Sequence, residues 1–193
     1  MMLSLDGVMQ APGGPEEDTS GGFKYGGWTA PYGDEAMGDI LKKELSVPFD
    51  LLLGRKTYDI WKAYWPKQTG FIAEPFNKVK KYVVSEKGVD LTWKESILIT
   101  GDVAAKIKAL KKEDGPVFHV WGSSVLIQTL LKNDLVDELR LRIYPVTIGT
   151  GKRLFGEGTI PAAFKLEDSQ VLPSGVILAN YKRAGELKTG SVI

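Results

Sequence analysis

The stretch FDLLLGRKTYDIW, residues 49–61, joins a run of apolar residues to an aromatic-rich helical pattern through a Gly-Arg-Lys-Thr corner. A continuous apolar run predicts a strand buried on both faces, as in the middle of a parallel sheet. The helical pattern that follows ends at Pro66. Arg55 and Lys56 are unusual there because cations at a helix start oppose the helix dipole. Either solvent surrounds these cations, or the corner is a binding site for an anion.

A second corner, HVWGSSVL (residues 119–126), has a similar form. Short apolar runs alternate with helical patterns along the chain, which predicts βαβ units and a largely parallel sheet. In such sheets ligands bind outside the carboxyl ends of the strands, where both corners would lie. A glycine that opens a helix can hold phosphate oxygens on unpaired N–H groups. Ordinary helix capping by Ser123 or Ser124 is the alternative.

The remaining patterns predict the fold class. Strands are predicted at 1–5, 49–54, 80–85, 97–100, 116–122 and 137–148, and helices at 33–45, 55–65, 102–113 and 123–133, the last with Val125 facing inward. Residues 164–184 predict a hairpin with its turn at Pro173-Ser174-Gly175. We therefore expect an α/β three-layer sandwich whose mainly parallel central sheet ends in an antiparallel hairpin. Residues 1–184 would form one domain, and 185–193 a partly disordered tail.

Composition narrows the classes of partner. The 193 residues carry a net charge of +1, so charge gives no reason to expect nucleic acid or a membrane as partner. The chain has no cysteine, which excludes disulfides and thiolate chemistry. Its carboxylates lie at scattered spacing beside one histidine, a pattern that predicts no metal site. Without an apolar run typical of a signal peptide or a membrane span, we expect a cytoplasmic protein.

Two other candidate motifs favour structural interpretations. GTGKRLFG, residues 149–156, resembles the end of a P-loop, but Arg153 stands where Ser or Thr is needed. It is better interpreted as a glycine loop after a strand. His119 lies inside an apolar strand, so a packed histidine is favoured over a catalytic one.

Asp6 is the most suggestive carboxylate. It follows the first predicted strand and precedes Gly7, a position at the sheet edge from which it could bind a hydroxyl or relay a proton. A turn-forming Asp-Gly is the alternative. Residues 6–31 are long, polar and rich in glycine and proline, which indicates a functional loop or lid. Trp28 and Trp61 could line a pocket for a flat ring, although each alone is more typical of a core.

Five ordered motifs together resemble a known family. They are SLDG (4–7), LLLGRKTY (51–58), YVVS (82–85), VWGSSVLIQTLL (120–131) and LVDELRLRIYPVTIGTGKRLF (135–155). In this order they resemble the reductase domain of the bifunctional riboflavin-biosynthesis deaminase/reductase, within the dihydrofolate reductase superfamily, and especially its stand-alone bacterial forms. The resemblance covers residues 4–182.

The resemblance implies NADPH as cofactor and gives roles to matching residues. The residues that the resemblance implies at the phosphates and the adenosine end of NADPH are Gly54, Arg55, Lys56, Thr57, Ser85, Gly122, Ser123 and Ser124. Asp6 and Gly7 match positions on the nicotinamide and substrate side, with Trp28 and Trp61 as candidate pocket walls. A glycine is common in the family where this chain has Ser123. The resemblance also implies a homodimer, for which the strand 139–146 and the final hairpin could supply the edge.

The implied reaction is hydride transfer from NADPH to a small heterocyclic or ribosylamino-pyrimidine-like substrate, as in 5-amino-6-(5-phosphoribosylamino)uracil reductase. We expect no deaminase domain from these 193 residues, and the segment 11–23 suggests a different lid and substrate. A non-catalytic nucleotide-binding protein is the rival. Authentic dihydrofolate reductase is disfavoured because Asp34, Glu35 and Asp39 do not align with the acidic residue that faces the pterin in that enzyme.

Overall fold

The computed structural model describes residues 1–192, and Ile193, the last residue of the predicted tail, lies outside the described residues. The chain divides into two compact units. Unit 1 contains Met1–Tyr32 and the chain from Leu130 onward, and unit 2 is Gly33–Thr129. The prediction of a single domain over residues 1–184 stays a prediction.

The strands and helices alternate along most of the chain. The strands are β1 (Met2–Ser4), β2 (Phe49–Gly54), β3 (Lys81–Val84), β4 (Ser96–Ile99), β5 (Val117–Val120), β6 (Glu138–Tyr144), β7 (Phe164–Val171) and β8 (Ile177–Arg183). The α-helices are α1 (Glu35–Leu45), α2 (Arg55–Tyr64), α3 (Ala73–Lys78), α4 (Val103–Leu110) and α5 (Ser124–Lys132).

Unit 2 contains a parallel sheet in the order β4-β3-β2-β5. The apolar run of β2 takes an internal position, where Phe49, Leu51 and Leu53 join a buried cluster with Tyr58 and Phe76. Burying such side chains stabilises the fold by roughly 1.5–3 kcal/mol each. Because the pairing is parallel, the carboxyl ends of β2 and β5 meet at the same edge, which brings the two predicted corners together.

Unit 1 contains a sheet in the order β1-β6-β8-β7. β1 runs parallel to β6, whereas β6, β8 and β7 pair antiparallel. The predicted α/β fold with parallel strands and a closing antiparallel hairpin is confirmed. The prediction that residues 139–146 form a sheet edge is wrong, because β6 has a neighbour on each side; β7 is the edge strand of the hairpin. The homodimer itself stays a prediction.

Residues 6–31, called here the N-terminal loop, form no α-helix and only short 3₁₀ turns, at Ser20–Gly22 and Ala30–Tyr32. The loop carries a small core of its own, in which Val8, Ala11 and Phe23 are buried. These contacts give the loop a defined position within unit 1.

Two other expectations from the sequence concern the C-terminal tail and membrane-spanning helices. Residues 185–192 are exposed and lie outside helix and strand, and the predicted disorder of the tail stays a prediction. Within residues 1–192, no helix is long and apolar enough to cross a membrane.

Candidate functional site

The corners after β2 and β5 are hydrogen-bonded to each other in unit 2. The Gly54 N–H donates to the Ser123 hydroxyl at 2.9 Å, and the Ser123 N–H donates to the Thr57 hydroxyl at 2.9 Å. Leu52 and Val120 are register partners just before these corners. We call residues 54–57 and 122–124 the double corner. Its parts come from positions 66 and 69 residues apart in sequence.

The backbone of the double corner turns sharply at two successive residues. Gly122 has a φ of 52° and Ser123 a φ of 55°, both in the left-handed region. A Cβ on Gly122 would lie 3.2 Å from the Thr57 hydroxyl oxygen, so only glycine fits without displacing it. Left-handed backbone at a non-glycine residue costs about 1–2 kcal/mol, and the two hydrogen bonds of Ser123 hold it there.

The N-terminus of α2 has the features of an anion site. Its N-cap is Gly54, which supplies no side-chain cap, and its first turn has no acidic residue. The first-turn N–H groups of a helix lack partners within the helix and carry a partial positive charge. Arg55 and Lys56 add exposed cations. Arg55 has only a weak competing partner, because its Nε lies 3.4 Å from Asp59 and its side chain is 51% exposed.

The serines predicted to contact a cofactor have structural contacts. Ser123 is 8% exposed, and its hydroxyl accepts from Gly54. Ser85 is buried, and its hydroxyl donates to the Lys87 carbonyl at 2.6 Å. Ser124 is partly buried as the first residue of α5. The geometry thus gives Ser123 and Ser85 positioning roles, and their contact with a cofactor stays a prediction.

Asp6 lies after β1 at the centre of a hydrogen-bonded cluster in unit 1. Its Oδ1 accepts from the Ser4 hydroxyl at 2.6 Å and the Ile148 N–H at 3.0 Å. Its Oδ2 accepts from the Gly149 N–H at 2.8 Å and from the Arg153 guanidinium at 3.4 Å. Arg153 also donates to the Asp6 carbonyl. Both carboxylate oxygens therefore hold backbone and side-chain donors in place.

These hydrogen bonds lower the pKa of Asp6. The hydrogen bond from the Ser4 hydroxyl is the largest cause, and those from the Ile148 and Gly149 N–H groups add to it. Together they lower the pKa from 3.8 to about 2, although burial acts in the opposite direction. Such a carboxylate is ionised at neutral pH and is a poor proton donor. Gly7 has a φ of 79° and donates to the Ser4 carbonyl, which fits the turn-forming interpretation of the Asp-Gly pair.

The glycine-rich segment 149–153 holds the N-terminal loop. Gly151 has a φ of 110° and lies against the ring of Phe23. Lys152 pairs with Asp18 of the loop at 2.6 Å. The interpretation of this segment as a structural glycine loop agrees with these contacts.

The predicted aromatic walls lie in different units. Trp28, in unit 1, donates its indole N–H to the Gln10 carbonyl at 2.8 Å and packs edge-on against Tyr144. Trp61, in unit 2, stacks on Phe76 with 4.8 Å between ring centroids. Sequence reasoning missed Trp121, which follows β5 and contacts both Trp61 and Phe76. Its position directly before the Gly122 corner was the available signal.

Several residues that were considered as catalytic or substrate-binding candidates pack in the core, cap a helix or lie at the surface. His119 stacks on Phe49 with ring centroids 4.5 Å apart and planes 9° apart. Asp34 caps α1 by accepting from the Ala36 N–H, and Glu35 and Asp39 are exposed. In the described part of the chain, no three His, Asp or Glu side chains are grouped closely enough to hold a metal ion.

Comparison with protein families and curated proteins gives matches over most of the chain. The family described as the RibD C-terminal domain matches residues 1–178. "Uncharacterized protein YyaP" of Bacillus subtilis (strain 168) is 32% identical over 136 residues, which are 68% of this chain and 72% of that protein. "Uncharacterized protein YwjB" of the same organism is 27% identical over 134 residues, covering 69% and 73%.

Solved structures show the same fold. A putative riboflavin biosynthesis protein from Shewanella sp. PV-4 matches with a TM-score of 0.67 and 20% identity, covering 95% of this chain and 96% of that one. A pyrimidine reductase-like protein from Corynebacterium diphtheriae gives 0.65 and 17%, covering 96% and 90%. Dihydrofolate reductase from Enterococcus faecalis, in complex with NADP(H) and RAB-propyl, gives 0.60 and 15%, covering 94% and 92%. At these identities the matches show a dihydrofolate reductase-like fold.

Proposed function

The chain belongs to the RibD C-terminal domain family, and on that premise we propose that it is an NADPH-dependent reductase. Its substrate would be a small heterocyclic or ribosylamino-pyrimidine-like compound of the riboflavin-biosynthesis type. The pyrimidine reductase-like protein of similar fold supports this choice of substrate class.

The double corner is the observation that carries the proposal. Two helices, α2 and α5, have their first residues there in unit 2, after adjacent parallel strands. Arg55, Lys56 and the uncapped first turn of α2 provide cations and N–H donors for a phosphate. A dianionic phosphate fits this donor set because it accepts charge-assisted hydrogen bonds, which are stronger than neutral ones. A 2′-phosphate is the group that distinguishes NADPH from NADH.

Bound NADPH would supply a hydride from its nicotinamide ring. The protein's part is to bind and orient the cofactor. Arg55 and Lys56 would neutralise the 2′-phosphate, and the Gly122 backbone would lie close to the pyrophosphate. Thr57 and Ser123 would hold the two corners at a fixed separation through their hydrogen bond. This order before binding lowers the entropic cost of binding.

Calorimetric titration with NADPH and NADH tests the proposal. Arg55→Ala and Lys56→Ala should each weaken the binding of NADPH by about 10–100-fold, which corresponds to the roughly 1.5–3 kcal/mol of a charged hydrogen bond. The affinity for NADH should stay nearly unchanged. Lys62→Ala is the matched control, because Lys62 lies on the same helix but pairs with Asp90. No NADPH binding at millimolar concentration, or equal losses for both cofactors, would contradict the proposal.

A non-catalytic nucleotide-binding protein is the second candidate, and the state of Asp6 favours it. The carboxylate that sequence analysis assigned to proton relay is held by several donors, with a pKa of about 2. An enzyme would then need another proton donor. NADPH oxidation followed at its nicotinamide absorbance separates the candidates. Turnover with at least one pyrimidine, pteridine, imine or carbonyl substrate supports the reductase, and cofactor binding without turnover across the panel supports the second candidate.

A further inference from the structure

Tyr144, the last residue of β6, is a buried tyrosine of unit 1 with 4% of its surface exposed. Within residues 1–192 its hydroxyl makes no hydrogen bond, yet the hydroxyl oxygen is not fully enclosed. The hydroxyl of a buried tyrosine usually has a hydrogen-bond partner, and one that lacks a partner needs an explanation. Water or a ligand is therefore left to bond with this hydroxyl.

The position of Tyr144 in the sheet is that of a ligand-binding residue. β6 runs parallel to β1, and Tyr144 is the register partner of Ser4 at the end of β1. In open sheets, ligands bind outside the carboxyl ends of parallel strands. Asp6, which accepts from the Ser4 hydroxyl, follows β1 at this same edge. The phenol thus lies at the edge where the sequence predicts a proton relay.

Two aromatic rings fix the orientation of the Tyr144 ring. Trp28 packs edge-on against it with 5.3 Å between centroids, and Tyr32 does the same at 5.8 Å. Trp28 is itself held by the hydrogen bond from its indole N–H to the Gln10 carbonyl. A ring held in this way needs little reorganisation to present its hydroxyl to a ligand.

Tyr144 and Asp6 differ in what they can donate. Burial raises the pKa of Tyr144 above the usual 10.0, while the charge of Arg142 acts in the opposite direction. The phenol therefore keeps its proton at neutral pH, whereas Asp6 is ionised and its oxygens are occupied by donors. Arg142 lies two residues before Tyr144 on β6, so the two side chains leave the strand on the same face. Its positive charge favours the phenolate that remains after proton loss.

We propose that Tyr144 is the proton donor of the reductase. The inference rests on the proposed function, in which bound NADPH supplies the hydride. When the hydride adds to the carbon of a C=N or C=O group, a C–H bond forms and the electron pair of the double bond moves to the nitrogen or oxygen. That atom takes the proton of the Tyr144 hydroxyl. The phenolate is then protonated by water, which returns the enzyme to its starting state.

Steady-state kinetics of Tyr144→Phe test the proposal, with the panel substrate that wild type reduces fastest. Loss of a general acid should lower kcat by about 100–1,000-fold, while the KM and the Kd of NADPH stay within about 3-fold. The urea midpoint should stay unchanged, because the hydroxyl makes no hydrogen bond within residues 1–192. Tyr32→Phe is the matched control. It removes a hydroxyl from a ring of the same aromatic group and should leave kcat within about 3-fold of wild type.

A second measurement follows the hydroxyl without turnover. Protein labelled with ¹³C at the tyrosine Cζ atoms contains 7 labelled residues, and the NMR signal that is absent from Tyr144→Phe belongs to Tyr144. The same substrate, added without NADPH at a concentration that saturates binding by calorimetry, should shift the Tyr144 signal. The reason is that a hydrogen bond from the hydroxyl changes the shielding at Cζ. The Tyr32 signal, assigned in the same way, should shift less.

The outcomes separate the inference from the proposed function. Wild-type kcat in Tyr144→Phe, an equal loss of kcat in Tyr32→Phe, or a Tyr144 signal that the substrate leaves in place overturns the inference. The reductase function then stands, because wild type still oxidises NADPH. A wild-type protein that binds no NADPH, or that reduces no substrate of the panel, contradicts the proposed function and the inference together. Failure of the function is thus seen in wild type, whereas failure of the inference alone is seen in an active enzyme.

Discussion

Lys81 on β3 is a charged residue with 0% exposure. Its ammonium donates to the carbonyls of Asn77 at 2.8 Å and Lys94 at 3.0 Å, and lies 4.6 Å from the centre of the Trp93 ring. Burial lowers the pKa of Lys81 from 10.5 to about 8, although the charge of Glu95 opposes the change. The folded protein therefore releases this proton at a lower pH than the unfolded chain does.

The sign of the pH dependence follows from these two values. Between pH 8 and 10.5 the unfolded chain binds more protons at Lys81 than the folded protein does, so this residue's contribution to stability rises with pH. We predict that the free energy of unfolding of wild type rises relative to that of Lys81→Met over this window, by up to about 3 kcal/mol. Urea titrations at closely spaced pH values measure it. Parallel pH profiles for the two proteins would contradict the prediction.

Ser123 and Asp6 show which parts of the candidate site could be predicted at the level of single residues. Their residue types and their positions after strands marked both as polar groups at a sheet edge. Their hydrogen-bond partners could not be predicted because these partners are far away in the sequence. Ser123 bonds to residues 66 and 69 positions away, and Asp6 to residues 142 and 143 positions away. A local sequence pattern cannot show whether a donor from a distant part of the sequence will hydrogen-bond to a carboxylate.

At the scale of elements, patterning predicted β2 with its observed bounds because a buried parallel strand needs an unbroken apolar run. It failed for Val125, which is 79% exposed, because an apolar run on a short helix does not fix which residues face inward. The short helix α3 was also missed. It has six residues, includes Pro75, and is placed by the burial of Ala73 and Phe76 in tertiary packing.

The segment 149–153 offers a test of how one element holds another. Gly149 and Gly151 both have positive φ, at 81° and 110°. A Cβ at Gly149 would meet no atom within 4 Å, whereas one at Gly151 would lie 2.8 Å from the Phe23 ring. We predict that Gly149→Ala costs about 1–2 kcal/mol from backbone strain, and that Gly151→Ala costs about 1–3 kcal/mol more from the clash.

Urea unfolding measures both glycine variants, and hydrogen exchange shows where protection is lost. Gly151→Ala should reduce protection in the N-terminal loop, because the displaced Phe23 belongs to its small core. Gly14→Ala, at an open position in that loop, is the control and should lose far less stability. Equal losses for Gly149→Ala and Gly151→Ala would show that contact with Phe23 does not hold the loop.

At the scale of the whole molecule, the sequence predicts a single domain, whereas the folded chain divides into two compact units. Unit 1 is built from two segments separated by unit 2, Gly33–Thr129, which is about 100 residues long. Closing a flexible chain of that length costs on the order of 4 kcal/mol in entropy, plus a constant. A folded unit 2 removes most of this cost, because it fixes the distance between the ends of its own chain. Folding of unit 1 is therefore coupled to folding of unit 2.

We predict that the protein unfolds in one calorimetric transition whose van't Hoff and calorimetric enthalpies agree. NADPH at about 100 times its Kd should stabilise the folded state by roughly 2.7 kcal/mol and raise the Tm by about 5–10 °C. The cofactor makes the test sharper, because the double corner lies wholly in unit 2. If the units unfold together, the entire endotherm moves with NADPH. If they unfold independently, the endotherm should split, and only the part that belongs to unit 2 should move. That second result would contradict the single domain while leaving NADPH binding intact.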